Sequence, residues 1–332
     1  MKKIIYTILT ILVLGLIGLF MYNNIRMKKY NLLLNYLDTS IIIEFYSNDK
    51  KIANDALVQI EDIYQKYHQL TNRYEEYDNI INLYTIRHNF YNEDFILIEK
   101  DLYNLIQYGI TLYKESNGII DISIGNVTEV WKTYLETKLT IPSEDELKLV
   151  HNQNINNIIL EENKIKNNHM NIDLDLIKNG YVADIISNYL KEKNITNYYI
   201  NAGDVIVTGN SYQKENYNIA LTNPDSEAEI LTTLKIKNKA IVTKNILKNA
   251  FDYQNKHYHN NINPNTLYPN DNMKSVTVIT DTAKEAEKLS NILFSMSIED
   301  GKNYIKNIDN IEVIWVTNND EIIKTNGIDL FE

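Results

Sequence analysis

The clearest structural pattern in the chain is carried by residues 173–209, DLDLIKNGYVADIISNYLKEKNITNYYINAGDVIVTG. Its middle part has apolar side chains at the spacing of a helix with one buried face, namely Val182, Ile185, Ile186, Tyr189 and Leu190. Asn194 can adopt the left-handed conformation that ends such a helix. The aromatic and β-branched residues 198–200 then predict a strand. We therefore predict a strand–turn–helix–strand unit with polar turns on both sides of the helix.

Both turns of this unit contain small residues. Gly180 opens the helix, and Asn201, Ala202 and Gly203 follow the strand. Small residues let backbone N–H groups approach a ligand closely, and a helix N-terminus favours anions. Such residues are also common in ordinary connections. The pattern alone therefore leaves both a ligand cradle and a plain turn open.

On both sides of this unit the hydrophobic pattern alternates between strands and helices. Strands are predicted at residues 37–46, 119–125, 217–221, 230–236, 240–243, 275–280 and 311–316. Helices are predicted around residues 56–70, 102–113 and 282–291, and another begins at Ser143, which forms a capping box with Glu146. Because no repeat and no linker rich in Gly, Ser or Pro interrupts them, we predict one compact α+β domain over residues 30–332.

The first 29 residues have a different character. An uncharged run of about 19 residues, from Ile4 to Tyr22, is long enough for one membrane crossing. No small-residue cleavage site follows it, so we expect residues 1–29 to form an uncleaved N-terminal transmembrane helix. Lysines or arginines flank the run on both sides, which leaves its orientation open.

Composition excludes several kinds of chemistry. The chain has no cysteine, which excludes disulfides, thiolate catalysis, cysteine metal sites and a lipid-modified cysteine at the N-terminus. Its formal net charge of −11 argues against nucleic acid as a partner, because phosphate contact needs clustered Lys and Arg.

Seven segments occur in the order and approximate spacing of the ApbE family, the FAD:protein FMN transferases. They are LDTSIIIEFY, IDISIG, DLDLIKNGYVAD, INAGDVIVTG, AIVT, HNNINPNTLYP and VTVITDTAKEAEKLSN. The resemblance covers nearly all of the chain after the predicted anchor. It implies an ApbE-like domain with a mixed sheet and flanking helices, placed behind the transmembrane helix.

The resemblance also implies an activity. Enzymes of this family cleave FAD at the pyrophosphate with Mg²⁺ and attach FMN to a Thr or Ser hydroxyl of a target flavoprotein. The implied substrate is FAD, the implied metal is Mg²⁺, and the implied partner is an acceptor protein. Tethering at the cell membrane, with the catalytic domain outside the cytoplasm, is typical of the family and agrees with the predicted anchor.

Site residues follow from matching the family motifs position by position. The metal ligands fall on the backbone carbonyl of Leu176 and on the side chains of Glu287 and Asn291, which all offer oxygen donors. An i,i+4 polar pair on a solvated helix face is the alternative for Glu287 and Asn291. The flavin-binding positions fall on Gly125, Asp173, Asn179, Gly180, Tyr181, Asn201, Ala202, Gly203, Thr243, Asn260 and Asn263.

The sharpest departure from the family lies in HNNINPNTLYP. Asn260 stands where the family has a histidine, and an amide cannot accept a proton at neutral pH. His259, one residue earlier, is the remaining candidate for a catalytic histidine. On a regular strand it would point to the opposite face. The alternative for His259 is a solvated loop histidine.

Three functions remain open at this point. The first is an FMN transferase with a diverged site, in which metal electrostatics and positioning supply most of the acceleration. The second is a non-catalytic, membrane-anchored module that binds flavin or a protein on the same scaffold. The third is a purely structural membrane protein.

Overall fold

The computed structural model describes residues 26–88, 95–151, 154–167, 169–212, 214–247 and 249–331. Most of the predicted anchor lies outside these residues. Within the described ranges, no helix combines the length and the apolar character that a membrane crossing requires. Lys28 and Lys29, assigned above to the anchor segment, begin the first strand.

One antiparallel sheet of eight strands forms the centre of the fold. In spatial order its strands are β1 (Lys28–Tyr36), β2 (Thr39–Ser47), β6 (Tyr198–Ala202), β7 (Val205–Thr208), β10 (Ala240–Asn245), β13 (Ser275–Thr280), β14 (Glu312–Val316) and β15 (Ile322–Lys324). Smaller sheets are made by β3 (Ile96–Leu97), β5 (Lys164–Lys166) and β4 (Ile159–Glu161), by β8 (Tyr217–Asn223) with β9 (Ser226–Ile236), and by β11 (Phe251–Tyr253) with β12 (Lys256–Tyr258).

Eight α-helices are present in the described part of the chain. They are α1 (Lys50–Thr71), α2 (Leu83–His88), α3 (Lys100–Glu115), α4 (Gly125–Thr137), α5 (Glu144–Val150), α6 (Lys178–Glu192), α7 (Ala283–Phe294) and α8 (Ile298–Ile305). Short 3₁₀ turns cover Ile155–Asn157 and Asn326–Leu330.

The α+β class is confirmed, but the expected mixed sheet is wrong, because every neighbouring pair in the eight-stranded sheet is antiparallel. The cause lies in the central unit. Residues 173–177, predicted as its first strand, form a turn that leads directly into α6. Without that strand the unit cannot make a parallel crossover. The helix itself, and the left-handed Asn194 (φ 58°) after it, are confirmed.

Residues 119–124 form bends and turns, and Gly125 begins α4, in place of the strand predicted at residues 119–125. The Asp121 carboxylate accepts hydrogen bonds from the Ser123 N–H (2.7 Å) and O–H (2.6 Å), which closes a local turn. Ile122, Ser123 and Ile124 are all buried, so consecutive residues do not alternate between core and solvent as they would in a strand with one buried face. Local capping therefore overrides the β-branched composition at this point.

Both faces of the central sheet are covered, which explains why all six residues of β13 are buried. Val276 and Val278 belong to the larger core, on the side of helices α1, α6 and α7. Ile279 faces the other way and packs with Leu234 and Ile236 of the β8–β9 hairpin. The sheet is therefore a middle layer between helices and a hairpin.

A separate apolar cluster joins α4 to the segment that follows β10. Trp131 of α4 packs there with Phe251 and Ile262, and its indole N–H donates to the Leu267 carbonyl at 2.7 Å. This bond holds the HNNINPNTLYP segment against α4. A cavity lies where this cluster meets the larger core.

Candidate active site

The cavity has a volume of about 420 Å³, within the range of roughly 300–1,000 Å³ that is usual for small-molecule sites. Its wall comes from the β1–β2 turn, the segment after α1, helix α4, the segment before α6, the end of β10, residues 260–262 and one residue of α7. Segments far apart in sequence therefore meet at one polar site.

Arg73 ties three of these segments together. Its guanidinium lies 3.1 Å from the Asp173 carboxylate and donates to the Gly125 carbonyl (3.2 Å) and to Thr128 Oγ1 (3.1 Å). Thr128 in turn donates to Asp173 at 2.5 Å. Arg73 and Asp173 are both buried, so the pair acts as a rigid part of the cavity wall. Gly125 takes part through its carbonyl oxygen and not as an open backbone surface.

Lys178 forms a second charged group in the wall, and the motif matching passed over it. Its Nζ lies 2.5 Å from Asp175 Oδ1 and 3.0 Å from Asp38 Oδ2. Asp38 lies in the tight β1–β2 turn with φ 60°, so the ion pair joins that turn to the start of α6. The sequence signal that could have identified Lys178 is its position directly before Asn179, one of the predicted flavin-binding residues.

Two of the three predicted metal positions, Leu176 and Glu287, lie in the cavity wall, and Asn291 contacts the backbone of both. Glu287 is buried, contributes to the wall, and accepts a hydrogen bond from the Gly180 N–H at 2.9 Å. Asn291 donates its amide N–H to the Leu176 carbonyl at 2.7 Å and to the Glu287 carbonyl at 2.9 Å. Glu287 and Asn291 are buried, so the alternative of a solvated pair is wrong. Asn291 presents nitrogen to Leu176, which makes it a support of that carbonyl here.

Burial raises the pKa of Glu287 to about 8, although the Lys244 ammonium and the hydrogen bond from Gly180 oppose the rise. A carboxylate held in this way is costly to ionise without added positive charge. A cation bound beside Glu287 would remove that cost.

The predicted flavin positions divide into two groups. Asp173, Asn179 and Asn260 contribute to the cavity wall. The Oδ1 atom of Asn179 is buried and has no hydrogen-bond partner among the described residues, so it is an acceptor available to a ligand. Gly180 lies just behind the wall, against Glu287.

The other flavin positions have structural roles outside the wall. Tyr181 packs against Tyr67 and Tyr108. The hydroxyl groups of Thr243 and Thr277 form a hydrogen bond with an O–O distance of 2.9 Å. The side-chain oxygen of Asn263 accepts a hydrogen bond from the Asn265 N–H at 2.9 Å, which closes a local turn. Asn201 and Ala202 end β6, and Gly203 (φ 71°) makes the turn to β7.

His259 does not fit either role considered for it. It is 1% exposed, so it is not a solvated loop histidine. Its Nε2 lies 2.7 Å from the Asn270 carbonyl, and its Nδ1 accepts from the Asn261 N–H at 3.2 Å. Burial lowers its pKa to about 4. With both ring nitrogens engaged and the ring outside the cavity wall, His259 supports the loop and is not placed to take a proton from a substrate.

An exposed aromatic ring lies at the cavity mouth. Tyr74 is partly exposed in the wall, and the Lys132 ammonium lies 3.9 Å from its ring centroid. Such a ring can stack with a flat ligand. Sequence reasoning did not identify Tyr74 or the neighbouring Arg73, although Arg73 is one of only three arginines in the chain.

The family model described as "ApbE family" matches residues 37–315. The chain belongs to the ApbE family. Among its curated relatives is the FAD:protein FMN transferase of Klebsiella pneumoniae (strain 342), which is 25% identical over 309 residues and covers 90% of this chain and 92% of the relative. The FAD:protein FMN transferase of Buchnera aphidicola subsp. Baizongia pistaciae is 31% identical over 201 residues, which are 57% of this chain and 59% of the relative.

Solved ApbE structures share the fold. The ApbE protein of Thermotoga maritima superposes with a TM-score of 0.79 at 20% identity, over 92% of this chain and 99% of that structure. The flavin transferase ApbE of Vibrio cholerae superposes with a TM-score of 0.74 at 18% identity, over 92% and 100%. The ApbE fold therefore extends over nearly the whole described chain, while the site residues of this member must be judged from its own geometry.

Proposed function

We propose that this chain is an FAD:protein FMN transferase that moves FMN from FAD to a Thr or Ser hydroxyl of a partner protein. The observation that carries the proposal is the meeting of Leu176 and Glu287 in the wall of a polar cavity, in a chain whose curated relatives bear that activity. In the reaction, the acceptor oxygen forms a bond to the FMN phosphorus. The bond from that phosphorus to the bridging oxygen breaks, AMP leaves, and the hydroxyl proton passes to a base.

The residues present fit a Mg²⁺ ion. Mg²⁺ is commonly held by one or two protein oxygens, with substrate phosphates and water completing its shell. The Leu176 carbonyl and the Glu287 carboxylate supply such oxygens, and Asn291 orients the carbonyl. The cavity wall carries seven carboxylate and four cationic side chains, so added positive charge would strengthen the binding of a pyrophosphate there. A bound Mg²⁺ would supply that charge and stabilise the leaving phosphate.

We assign the proton-accepting role to Asp121, which contributes to the cavity wall. Ser123 donates both of its hydrogen bonds to Oδ1 of Asp121, so Oδ2 is the oxygen that can take a proton. Burial raises the pKa of Asp121, and the bonds from Ser123 offset the rise only in part. A raised pKa makes a carboxylate a better base near neutral pH.

A second candidate is a non-catalytic member that binds flavin or a protein without transfer. It is favoured by one observation: Asn260 of the cavity wall cannot accept a proton, and both nitrogens of the neighbouring His259 are engaged. The two candidates differ in the fate of bound FAD, which is cleaved in the first and unchanged in the second.

The test uses the full chain with FAD, Mg²⁺ and a flavinylation-acceptor domain, followed by in-gel flavin fluorescence. We expect a flavin-labelled acceptor that disappears with EDTA. Asp121→Asn should lose transfer and keep FAD binding, whereas Asp145→Asn, on the exposed first turn of α5, should change neither. FAD binding without any label in the wild type would favour the second candidate.

Membrane attachment belongs to the same proposal. We infer that the apolar run from Ile4 to Tyr22 tethers the domain to the cell membrane, with the cavity on the extracytoplasmic side, where the acceptor would be met. Protease protection of intact cells or vesicles carrying the chain distinguishes the two orientations.

A further inference from the structure

Lys244 is a buried lysine in the wall of the cavity. It lies near the end of β10 and is 7% exposed. Lysine is rarely buried to this extent unless its ammonium has a partner.

The other three cations of the wall have an evident partner or are exposed. Arg73 is paired with Asp173, and Lys178 with Asp38 and Asp175. The remaining cation of these three, Lys132 on α4, is solvent-exposed, and its ammonium lies over the ring of Tyr74. These three charges are therefore satisfied without a ligand.

Lys244 differs from them. Within the described ranges, its Nζ takes part in no hydrogen bond and no ion pair, and it is not among the buried atoms without a partner, so it opens to the cavity. Glu287 is near enough for the ammonium to oppose the rise that burial causes in the pKa of Glu287, but the two do not form an ion pair. The wall thus presents a positive charge to a ligand that enters the cavity.

The surroundings restrict the ligand. The ammonium shares the wall with Glu287 and with the available acceptor atom of Asn179. An ammonium that opens to the cavity favours an anion as the ligand. A diphosphate meets this requirement, because Lys binds phosphate oxygens as a point charge.

We propose that Lys244 binds a phosphate oxygen of a diphosphate-containing ligand and holds it in the cavity independently of a metal ion. The inference rests on the proposed function, because FAD carries such a diphosphate. It goes further in assigning this contact to Lys244, which is not among the matched segments or the site residues given above. It also implies that part of the diphosphate affinity persists without Mg²⁺.

The test measures binding of ADP and of inorganic pyrophosphate to the full chain by calorimetry in EDTA. We expect Lys244→Met to weaken both at least about ten-fold, as loss of a charge-assisted hydrogen bond should. Lys244→Arg should retain most of the affinity. Lys239→Met is the matched control, because it removes the same charge from a lysine that is paired with Asp281 outside the wall, and it should leave binding unchanged.

A second readout separates binding from a structural role. In Lys244→Met, the rise in unfolding temperature that ADP causes should be smaller than in the wild type. A purely structural lysine would give a lower unfolding temperature and an unchanged shift with ADP. That result, or equal ADP affinity in wild type and Lys244→Met, would overturn the inference.

The outcomes also separate this inference from the proposed function. Transfer of FMN by the wild type together with unchanged ADP binding by Lys244→Met would leave the function standing and remove the inference. If ADP binding depends on Lys244 but the wild type never transfers FMN, the inference stands and the proposed function is removed. A wild type that binds neither ADP nor pyrophosphate in EDTA also contradicts the inference.

Discussion

Gly180 lies where α6 crosses α7, and no side chain fits there. A Cβ atom at this position would lie 2.7 Å from the Ala283 carbonyl oxygen and 2.7 Å from Glu287 Oε2. We expect Gly180→Ala to lower the free energy of unfolding by about 1–3 kcal/mol, because the two helices must separate. It should also weaken FAD binding, because the added methyl group would displace the Glu287 carboxylate from its position in the cavity wall.

Urea unfolding and flavin fluorescence quenching measure the two effects. Gly301→Ala in α8 is the control, because its nearest neighbour would be the flexible Leu293 side chain at 3.2 Å, with no backbone atom as close. Equal stability loss in both variants would contradict the account of Gly180.

His259 gives a prediction about pH. Burial lowers its pKa from 6.5 to about 4, so the folded chain keeps it neutral while the unfolded chain takes up a proton below pH 6.5. Stability from this residue is therefore complete above pH 6.5 and is lost as the pH falls towards 4. Between pH 7 and pH 5 the loss should be about 2 kcal/mol.

The measurement is the free energy of unfolding in urea at pH 7 and pH 5, for wild type and for His259→Gln. Carboxyl groups with raised pKa values, such as Glu287, respond in the opposite sense, so the difference between the two proteins is the relevant quantity. Parallel curves for wild type and variant would show that His259 is not held neutral.

Individual residues show where sequence reasoning succeeds and where it stops. Glu287 and Leu176 were found by motif matching, and both residues lie in the cavity wall. Arg73 was missed, because its contact with Asp173 joins segments 100 residues apart and leaves no local pattern. The burial of His259 could not be predicted either, because it depends on a carbonyl contributed by Asn270.

The β8–β9 hairpin is the element that covers the second face of the sheet. Leu234 of β9 is fully buried in the hairpin's cluster, whereas Ile230 of the same strand is 66% exposed. We expect Leu234→Ala to cost about 2–5 kcal/mol, since it leaves a cavity between hairpin and sheet. Ile230→Ala should stay within about 0.5 kcal/mol of wild type.

Thermal and urea unfolding of both variants give the comparison. If Leu234→Ala is as stable as Ile230→Ala, the hairpin does not contribute to the core, and the description of the sheet as a middle layer is wrong.

At the scale of elements, patterns with their own local signal were predictable. Strand β13, the N-cap Ser143 and the helix predicted at residues 282–291 correspond to strong sequence signals. The failures occurred where local hydrogen bonds or burial on all sides replaced periodicity, as in residues 119–125 and 173–177. Helix α4 was missed as well, because its buried residues belong to the separate cluster around Trp131 and not to the sheet.

At the scale of the whole molecule, the site depends on two apolar clusters meeting at one edge. The larger core positions Arg73, Asp173 and Glu287, and the smaller cluster holds residues 260–262 opposite them. Motif order was sufficient to predict family membership, because order is a property of sequence. The pairing of charges across the cavity could not be predicted from motif order, because it is set by the packing of segments that are distant along the chain.

The measurement that tests the account most directly is the intact mass of a flavinylation-acceptor domain after incubation with the full chain, FAD and Mg²⁺. We predict that the acceptor gains the mass of one FMN, that AMP appears in equal amount, and that Glu287→Gln abolishes both. An acceptor of unchanged mass, with FAD recovered intact under conditions in which the chain binds it, would contradict the account.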